Sequence, residues 1–311
     1  AALSYCDSNI GRVIQAVEDT GELDNTLILY IQGDNGASGE GTLQGMANEI
    51  AVMANGVPES VDYLVSVMEE LGGPLQANHY PVGWAHAMNT PFQWTKQVAS
   101  HFGGTRNGMV ISWPARIKQT GQVRSQFCSL IDIVPTILEA GGVTEPTEIN
   151  GVTQKPMEGK SLIYSFDAAD APTQHPSQYF ELIANRGIYH DGWMANTVPL
   201  KLPWAKVAPG VPSANPDDFK WELYHVSEDF SQSNNLAAQN PEKLKELQAL
   251  FDKEAEKYGV YPLDASFAER ADVSLRPSLT RGRSSFIYYP GTVRVPEGTA
   301  PDLKNRSYRM T

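Results

Sequence analysis

The residues best suited to chemistry are Asp34 and Asn35, in the run Gly33-Asp34-Asn35-Gly36. A carboxylate beside a carboxamide offers hard oxygen donors of the kind Ca²⁺ and Mg²⁺ take. The flanking glycines let the backbone turn sharply, so that both side chains can face one point. An ordinary Asp-Asn-Gly turn uses the same residue types. The segment in front, Asn25-Thr-Leu-Ile-Leu-Tyr-Ile31, favours a site. This near-continuous apolar run predicts a strand buried on both faces, as in a parallel sheet with helices on either side. In open α/β sheets, ligands sit beyond the carboxyl ends of strands. Further on come Lys96 and then Gly103-Gly104-Thr105-Arg106. A Lys ammonium is a compact charge with three donors, suited to an oxyanion, although taken alone Lys96 reads as a solvated lysine. Arg106 is either a second anion contact or a brace for its turn. His79, His86 and His101 lie nearby, and a histidine general acid suits ester cleavage. Packing is the plainer role for each. His101, five residues after Lys96, is the best placed of the three.

The elements that must position these groups follow from periodicity. Leu3, Ile10, Val13, Ile14 and Val17 share one helical face, and Gly21 closes that helix. Residues 58–71 predict a second amphipathic helix, 91–100 a short one, 108–113 a strand, 127–131 another strand, and 134–140 a helix ended by Gly141-Gly142. From about residue 175 the texture changes. Short strands are expected at 178–183, 186–191, 192–197 and 220–225. A charged amphipathic helix from Pro241 to Tyr258 follows, with Asn240 as N-cap and Leu244, Leu247, Leu250 and Phe251 on one face. The tail RPSLTRGRSSFIYYPGTVRVPEG lacks periodicity and reads as an extended arm.

Composition narrows the class. Of 311 residues, 41% are hydrophobic and 19% charged, which predicts a sizeable core. A formal net charge of −12 argues against a nucleic-acid or anionic-membrane surface. It leaves room for an anionic ester held by a cation and a few basic groups. No apolar run approaches a membrane span. Cys6 and Cys128 form no metal spacing, and two buried free thiols are expected rather than a disulfide. They leave the compartment undecided. The chain opens without Met on a helix already in progress, and it ends abruptly at Tyr308-Arg-Met-Thr311. It therefore reads as a piece of a longer protein.

Several stretches together resemble the type I sulfatases, in particular bacterial arylsulfatases, of the alkaline-phosphatase-like superfamily. They are Asp24-Asn-Thr-Leu-Ile-Leu-Tyr-Ile-Gln-Gly-Asp-Asn-Gly36, Thr90-Pro-Phe-Gln-Trp-Thr-Lys96, Gly103-Gly-Thr-Arg106, Val110-Ile-Ser-Trp-Pro114 and Ile131-Asp-Ile-Val-Pro-Thr-Ile137. Trp221-Glu-Leu-Tyr-His-Val-Ser-Glu-Asp229 with Asn235-Leu236, and Phe286-Ile-Tyr-Tyr-Pro-Gly291, continue the likeness. The resemblance implies an α/β fold: part of a mixed sheet flanked by helices, then a small antiparallel sheet with a packed helix. The corresponding divisions are 1–170, 171–260 and an arm or linker at 261–311. It implies Asp34 and Asn35 as ligands of a divalent cation, Ca²⁺ or Mg²⁺, and Lys96 as the sulfate contact. His225 stands where many relatives have Asp and is expected to be structural.

One string looks like the nucleophile itself. Family members carry Cys/Ser-x-Pro-x-Arg, whose first residue becomes formylglycine, and Ser112-Trp113-Pro114-Ala115-Arg116 matches it. The following Leu-Thr-Gly is not in register, and the string lies after the Asp-Asn pair at a strand end rather than before it at a helix start. Ser112 is therefore expected to be a decoy. The formylglycine, the other metal ligands and the catalytic histidines are expected upstream, so the isolated chain is expected to be inactive. Its partners would be a small-molecule sulfate ester and the remainder of its own protein. The alternatives are a phosphonate monoester or phosphodiester hydrolase of the same superfamily, and a non-catalytic fragment or binding module. Tyr80–Trp84 and Phe92–Trp94 either line a substrate pocket or pack in the core.

Overall fold

Helix α1 (Ala2–Asp19) forms over the first apolar stripe and stops where Gly21 takes a φ of 77°. The computed structural model describes residues 2–54, 56–205, 214–266, 279–296, 299–304 and 306–311. It divides into two units, residues 1–206 with 215–264, and residues 207–214 with 265–311.

Strand β1 (Ile28–Ile31) is the predicted apolar strand, but its setting differs from expectation. All four residues are half-buried, and its partner is antiparallel. Along the chain come helix α2 (Val61–Ser66), capped by the Ser60 side chain, helix α3 (Val82–Asn89) and a single turn α4 (Phe102–Thr105). Strand β2 (Met109–Ser112) then pairs with β1 in the register Ile28 to Ser112 through Ile31 to Met109. An antiparallel ribbon, not a parallel pair, thus holds β1. The residues at 91–100 are not helical, because Trp94 and Gln97 take left-handed φ values of 68° and 78°. The stretch 127–131 is not a strand either. It leads into a 3-10 turn at Leu130–Asp132, where the Asp132 carboxylate accepts the Ser129 N–H at 2.8 Å. Helix α5 (Ile133–Ala140) follows that turn, and β3 (Glu148–Ile149) and β4 (Val152–Thr153) form a small hairpin.

The second half of this unit matches its pattern closely. Strands β5 (Ser177–Leu182), β6 (Asn185–His190), β7 (Trp193–Thr197) and β8 (Trp221–His225) form one antiparallel sheet in sequential order. Helix α6 (Pro241–Lys257) lays its apolar stripe on this sheet. Leu247, Phe251 and Ala255 meet Ile188, Ala195 and Leu223, and all six are fully buried. Pro241 occupies the first turn, and the expected cap Asn240 makes no side-chain cap bond. After β8, Asp229 organises a tight turn by accepting from Asn234 N at 2.8 Å and from Ser233 Oγ at 3.0 Å. Leu236 N then returns to Leu223 O at 2.8 Å.

In the second unit, residues 279–296, 299–304 and 306–311 contain turns at Thr280–Arg283 and Tyr289–Thr292 and no α-helix or strand among the described residues. Ile287 and Tyr289 are exposed. Residues 267–278, 297, 298 and 305 of the expected arm lie outside the described residues. Both cysteines are free, but they are exposed rather than buried. Cys6 shares an exposed stretch of α1 with Leu3 and Tyr5. No helix among the described residues is long and apolar enough to cross a membrane.

Candidate functional site

Strand β1 delivers Asp34 and Asn35 at its carboxyl end. Gly33, at a φ of 86°, turns the chain there, and Gln32 N–H bonds to Gly108 O at 3.0 Å. Asn107 holds the backbone of Asn35 from both sides, donating to its carbonyl at 2.7 Å and accepting from its N–H at 3.1 Å. The Asn35 carboxamide nitrogen donates to Asp34 Oδ1 at 2.6 Å. Gly36 N–H then bonds to Gly104 O at 3.0 Å. This crossing leaves no room for side chains. A Cβ on Gly36 would lie 1.6 Å from Gly103 O, one on Gly103 2.1 Å from Gln93 O, and one on Gly104 2.0 Å from Val98 O. Glycine is required at these three positions for space, which is why Gly103-Gly104 sits where it does.

The same crossing brings in Lys96. Its N–H donates to Ala37 O at 3.0 Å, two residues past Asn35. Buried Asn89, at the end of α3, accepts from Ala37 N at 2.9 Å and donates to Trp94 O at 3.1 Å, tying the two loops together. Lys96 lies between Trp94 and Gln97, both in the left-handed region. Non-glycine residues held there cost on the order of 1–3 kcal/mol each and cluster at functional sites. The Lys96 ammonium meets Glu40 Oε2 at 3.3 Å. Glu40 also accepts from Gln97 Nε2, and from Ser38 Oγ at 3.0 Å. Burial acts to raise the Glu40 carboxyl pKa. The hydrogen bonds from Gln97 and Ser38 and the Lys96 charge outweigh it and hold the group below its ordinary value. His79 Nε2 lies 2.8 Å from Ser38 Oγ, and its Nδ1 donates to Tyr80 O at 2.8 Å.

The other candidates are placed differently. His101 is fully buried, with Nδ1 2.9 Å from Ser100 Oγ and Nε2 3.2 Å from Glu222 Oε2. Glu222 belongs to β8, so His101 joins the Gly-Gly turn to the antiparallel sheet. That hydrogen bond is the main reason the Glu222 carboxyl lies below its ordinary value. Buried Gln232 reinforces the join by accepting from Phe102 N at 2.9 Å. Arg106 braces its turn through aromatic faces. Its guanidinium lies over the rings of Phe230, Phe102 and Phe92 at 4.1, 5.1 and 5.3 Å. His86 is exposed on α3. His225 stacks on Trp193 with ring centroids 4.3 Å apart. Trp84 is exposed, whereas Phe92 packs on Phe102. Ser112 pairs with Ile28, at the end of the ribbon away from Asp34. At about 3.3 Å per residue, β1 alone puts roughly 10 Å between that end and its carboxyl end.

The fit to a divalent cation is partial. Asp34 and Asn35 are exposed, adjacent and joined through one carboxylate oxygen and the amide nitrogen. The second carboxylate oxygen and the amide oxygen are the atoms a cation would take. Ca²⁺ needs roughly six to eight oxygens, and no group of three or more His, Cys, Asp or Glu suited to a metal occurs among the described residues. The pair suits part of a shell.

Sequence reasoning passed over Glu40 and Asn89. Glu40 had a signal, since an acid set among Gly36, Gly39 and Gly41 on a loop is a constrained carboxylate. Asn89 had none, because its role depends on two loops meeting.

The sulfatase family model matches residues 1–143. An uncharacterized sulfatase of Schizosaccharomyces pombe is 31% identical over 250 residues, covering 79% of this chain and 41% of that protein. An arylsulfatase of Klebsiella aerogenes is 26% identical over 182 residues, covering 58% of this chain and 36% of that protein. The crystal structure of PsFucS1 sulfatase from Pseudoalteromonas sp. aligns with a TM-score of 0.52 and 15% identity, over 84% of this chain and 43% of that one. At that identity the likeness concerns the fold alone. The chain thus spans less than half the length of these relatives. The Asp-Asn loop, the lysine and the Gly-Gly turn of the crossing all lie within the region that the sulfatase family model matches, and across that region the chain is similar to the sulfatases.

Proposed function

We propose that the crossing of the Asp34–Asn35 and Lys96 loops is the cation- and sulfate-binding part of a sulfuric ester hydrolase. The observation behind this reading is the bond from Lys96 N to Ala37 O, which brings an ammonium to the loop that carries the two oxygen donors. Asp34 and Asn35 supply two ligands of a Ca²⁺ or Mg²⁺, which when bound polarises ester oxygens as a Lewis acid. The Lys96 ammonium offsets the sulfate charge and orients its oxygens. His101 keeps the Gly-Gly turn against the sheet and acts by positioning. Ser112 takes no part, being on the wrong end of the ribbon. The formylglycine nucleophile comes from sequence outside this chain, so the 311 residues bind an anion without turning over an ester.

Turnover of 4-nitrophenyl sulfate by the whole protein with Ca²⁺ tests this. Lys96→Ala is expected to lower kcat/KM by about a hundredfold or more, and Ser112→Ala to leave it unchanged. Loss of activity in Ser112→Ala, or retention in Lys96→Ala, overturns the reading. Faster turnover of 4-nitrophenyl phosphate than of the sulfate moves the protein to the phosphoester branch of the superfamily.

A further inference from the structure

The Lys96 ammonium is paired with Glu40, and the two partners are built differently. Glu40 sits on a tightly fixed backbone. A Cβ on Gly39 would lie 2.7 Å from Thr95 Oγ1, and one on Gly41 1.8 Å from Tyr80 O. Its carboxylate has two neutral donors, Gln97 Nε2 and Ser38 Oγ, besides the lysine. Ser38 is fixed in turn, its N–H bonding to Tyr80 Oη at 3.0 Å and its Oγ accepting the Glu40 N–H at 3.4 Å. The lysine, by contrast, reaches Glu40 on a flexible four-carbon stem.

We propose that Glu40 is the resident counter-ion of Lys96, a fixed carboxylate that holds the ammonium and releases it to an arriving oxyanion. The proposal rests on reading Lys96 as the sulfate contact. Three features suit an exchange. The pair is partly exposed, with side chains 40% and 28% accessible, so its attraction is screened and weak. When the lysine leaves, Gln97 and Ser38 still satisfy the carboxylate, so no bare charge is stranded. A sulfate ester brings one negative charge, as Glu40 does, so the ammonium exchanges between them about evenly, whereas the free sulfate dianion draws it more strongly. The buried pair of His175 and Asp132, with side chains 8% and 0% accessible, could not serve in this way.

Trace acylation of lysines, read by mass spectrometry over a sodium sulfate titration at constant ionic strength, tests the exchange on the whole protein. Glu40→Gln keeps the side-chain shape and removes the charge. Lys96 is expected to acylate faster in this variant without sulfate. Sulfate is expected to half-protect it at about a threefold to tenfold lower concentration than in the unaltered protein. Structural damage weakens anion binding, whereas release of a counter-ion strengthens it. Gln97→Asn tolerates the left-handed backbone but withdraws one donor from Glu40, so the carboxylate leans harder on Lys96 and half-protection moves to higher sulfate. Protection at one concentration in all three proteins leaves Lys96 as an anion contact and overturns the counter-ion. Protection in none overturns both. If Glu40→Gln does not fold, Gln97→Asn decides: a shift to higher sulfate supports the exchange, and any other result overturns it.

Discussion

The β1–β2 ribbon and the β5–β8 sheet are both antiparallel, and both draw on apolar runs, yet they end in different environments. Along β1 every residue is half-buried, and Val110 on β2 is 62% exposed. Val13 on α1 is 67% exposed, despite belonging to a clean helical stripe. In the second sheet, Ile188, Ala195 and Leu223 are sealed beneath Leu247, Phe251 and Ala255 of α6. Strand composition does not explain the contrast, since Ile-Leu-Tyr-Ile is at least as apolar as the strands under α6. An amphipathic helix directly after the last strand supplies a cover for the second sheet. A strand's apolar content and its burial are separate facts, linked by whatever element lies on it. Between the two regions lies a third kind of construction, the Gly36–Gly103–Gly104 crossing, held by main chain against main chain.

Substitutions sharpen this contrast, and the largest effect is expected at the crossing. Gly104→Ala puts a methyl group 2.0 Å from Val98 O and should cost more than about 4 kcal/mol, leaving no cooperative transition in urea. In the closed core, Phe251→Ala should cost about 4 kcal/mol, read from the denaturant midpoint. Asp132→Asn should cost about 3 kcal/mol, because buried His175 then loses its carboxylate at 2.8 Å. The same pair should show in the pH dependence of Tm. The Asp132 hydrogen bond outweighs the opposing burial and raises the pKa of His175 when folded. Its stabilisation is therefore complete below the unfolded value of about 6.5 and fades as pH rises through the raised folded value. That slope should be absent in Asp132→Asn. The smallest effect is expected on α1, where Val13→Ser should stay within about 0.5 kcal/mol. A loss several times larger would mean that the α1 stripe is covered in the working protein, and the contrast between the two regions would close.

The sequence made the second sheet legible almost residue by residue. Its strands are short, separated by turns, and followed by a helix whose Leu247 and Phe251 repeat at helical spacing. The same reasoning found β1 and its Asp34–Asn35 terminus but assigned the wrong pairing. A four-residue apolar strand looks alike in either orientation, and its partner β2 lies far along the chain. The stretch 91–100 looked helical by composition. Tertiary demands won there, since the loop has to wrap the Gly-Gly turn and present Lys96 between two left-handed residues. His101 was singled out for its closeness to Lys96 in sequence, but its buried tie to Glu222 depends on a strand more than a hundred residues away. Local pattern carries local structure, and contacts across the chain leave little trace in it.

The Gly36–Gly103–Gly104 crossing has a consequence for how such a site can diversify. Because backbone meets backbone there, the interval between the oxygen-donor loop and the lysine loop is set by hydrogen-bond length rather than by side-chain size. No series of larger or smaller residues at the junction can widen or narrow it by degrees. Descendants of this chain could alter the groups that protrude from the two loops, or the walls farther out, but the gauge between the loops is inherited whole or lost.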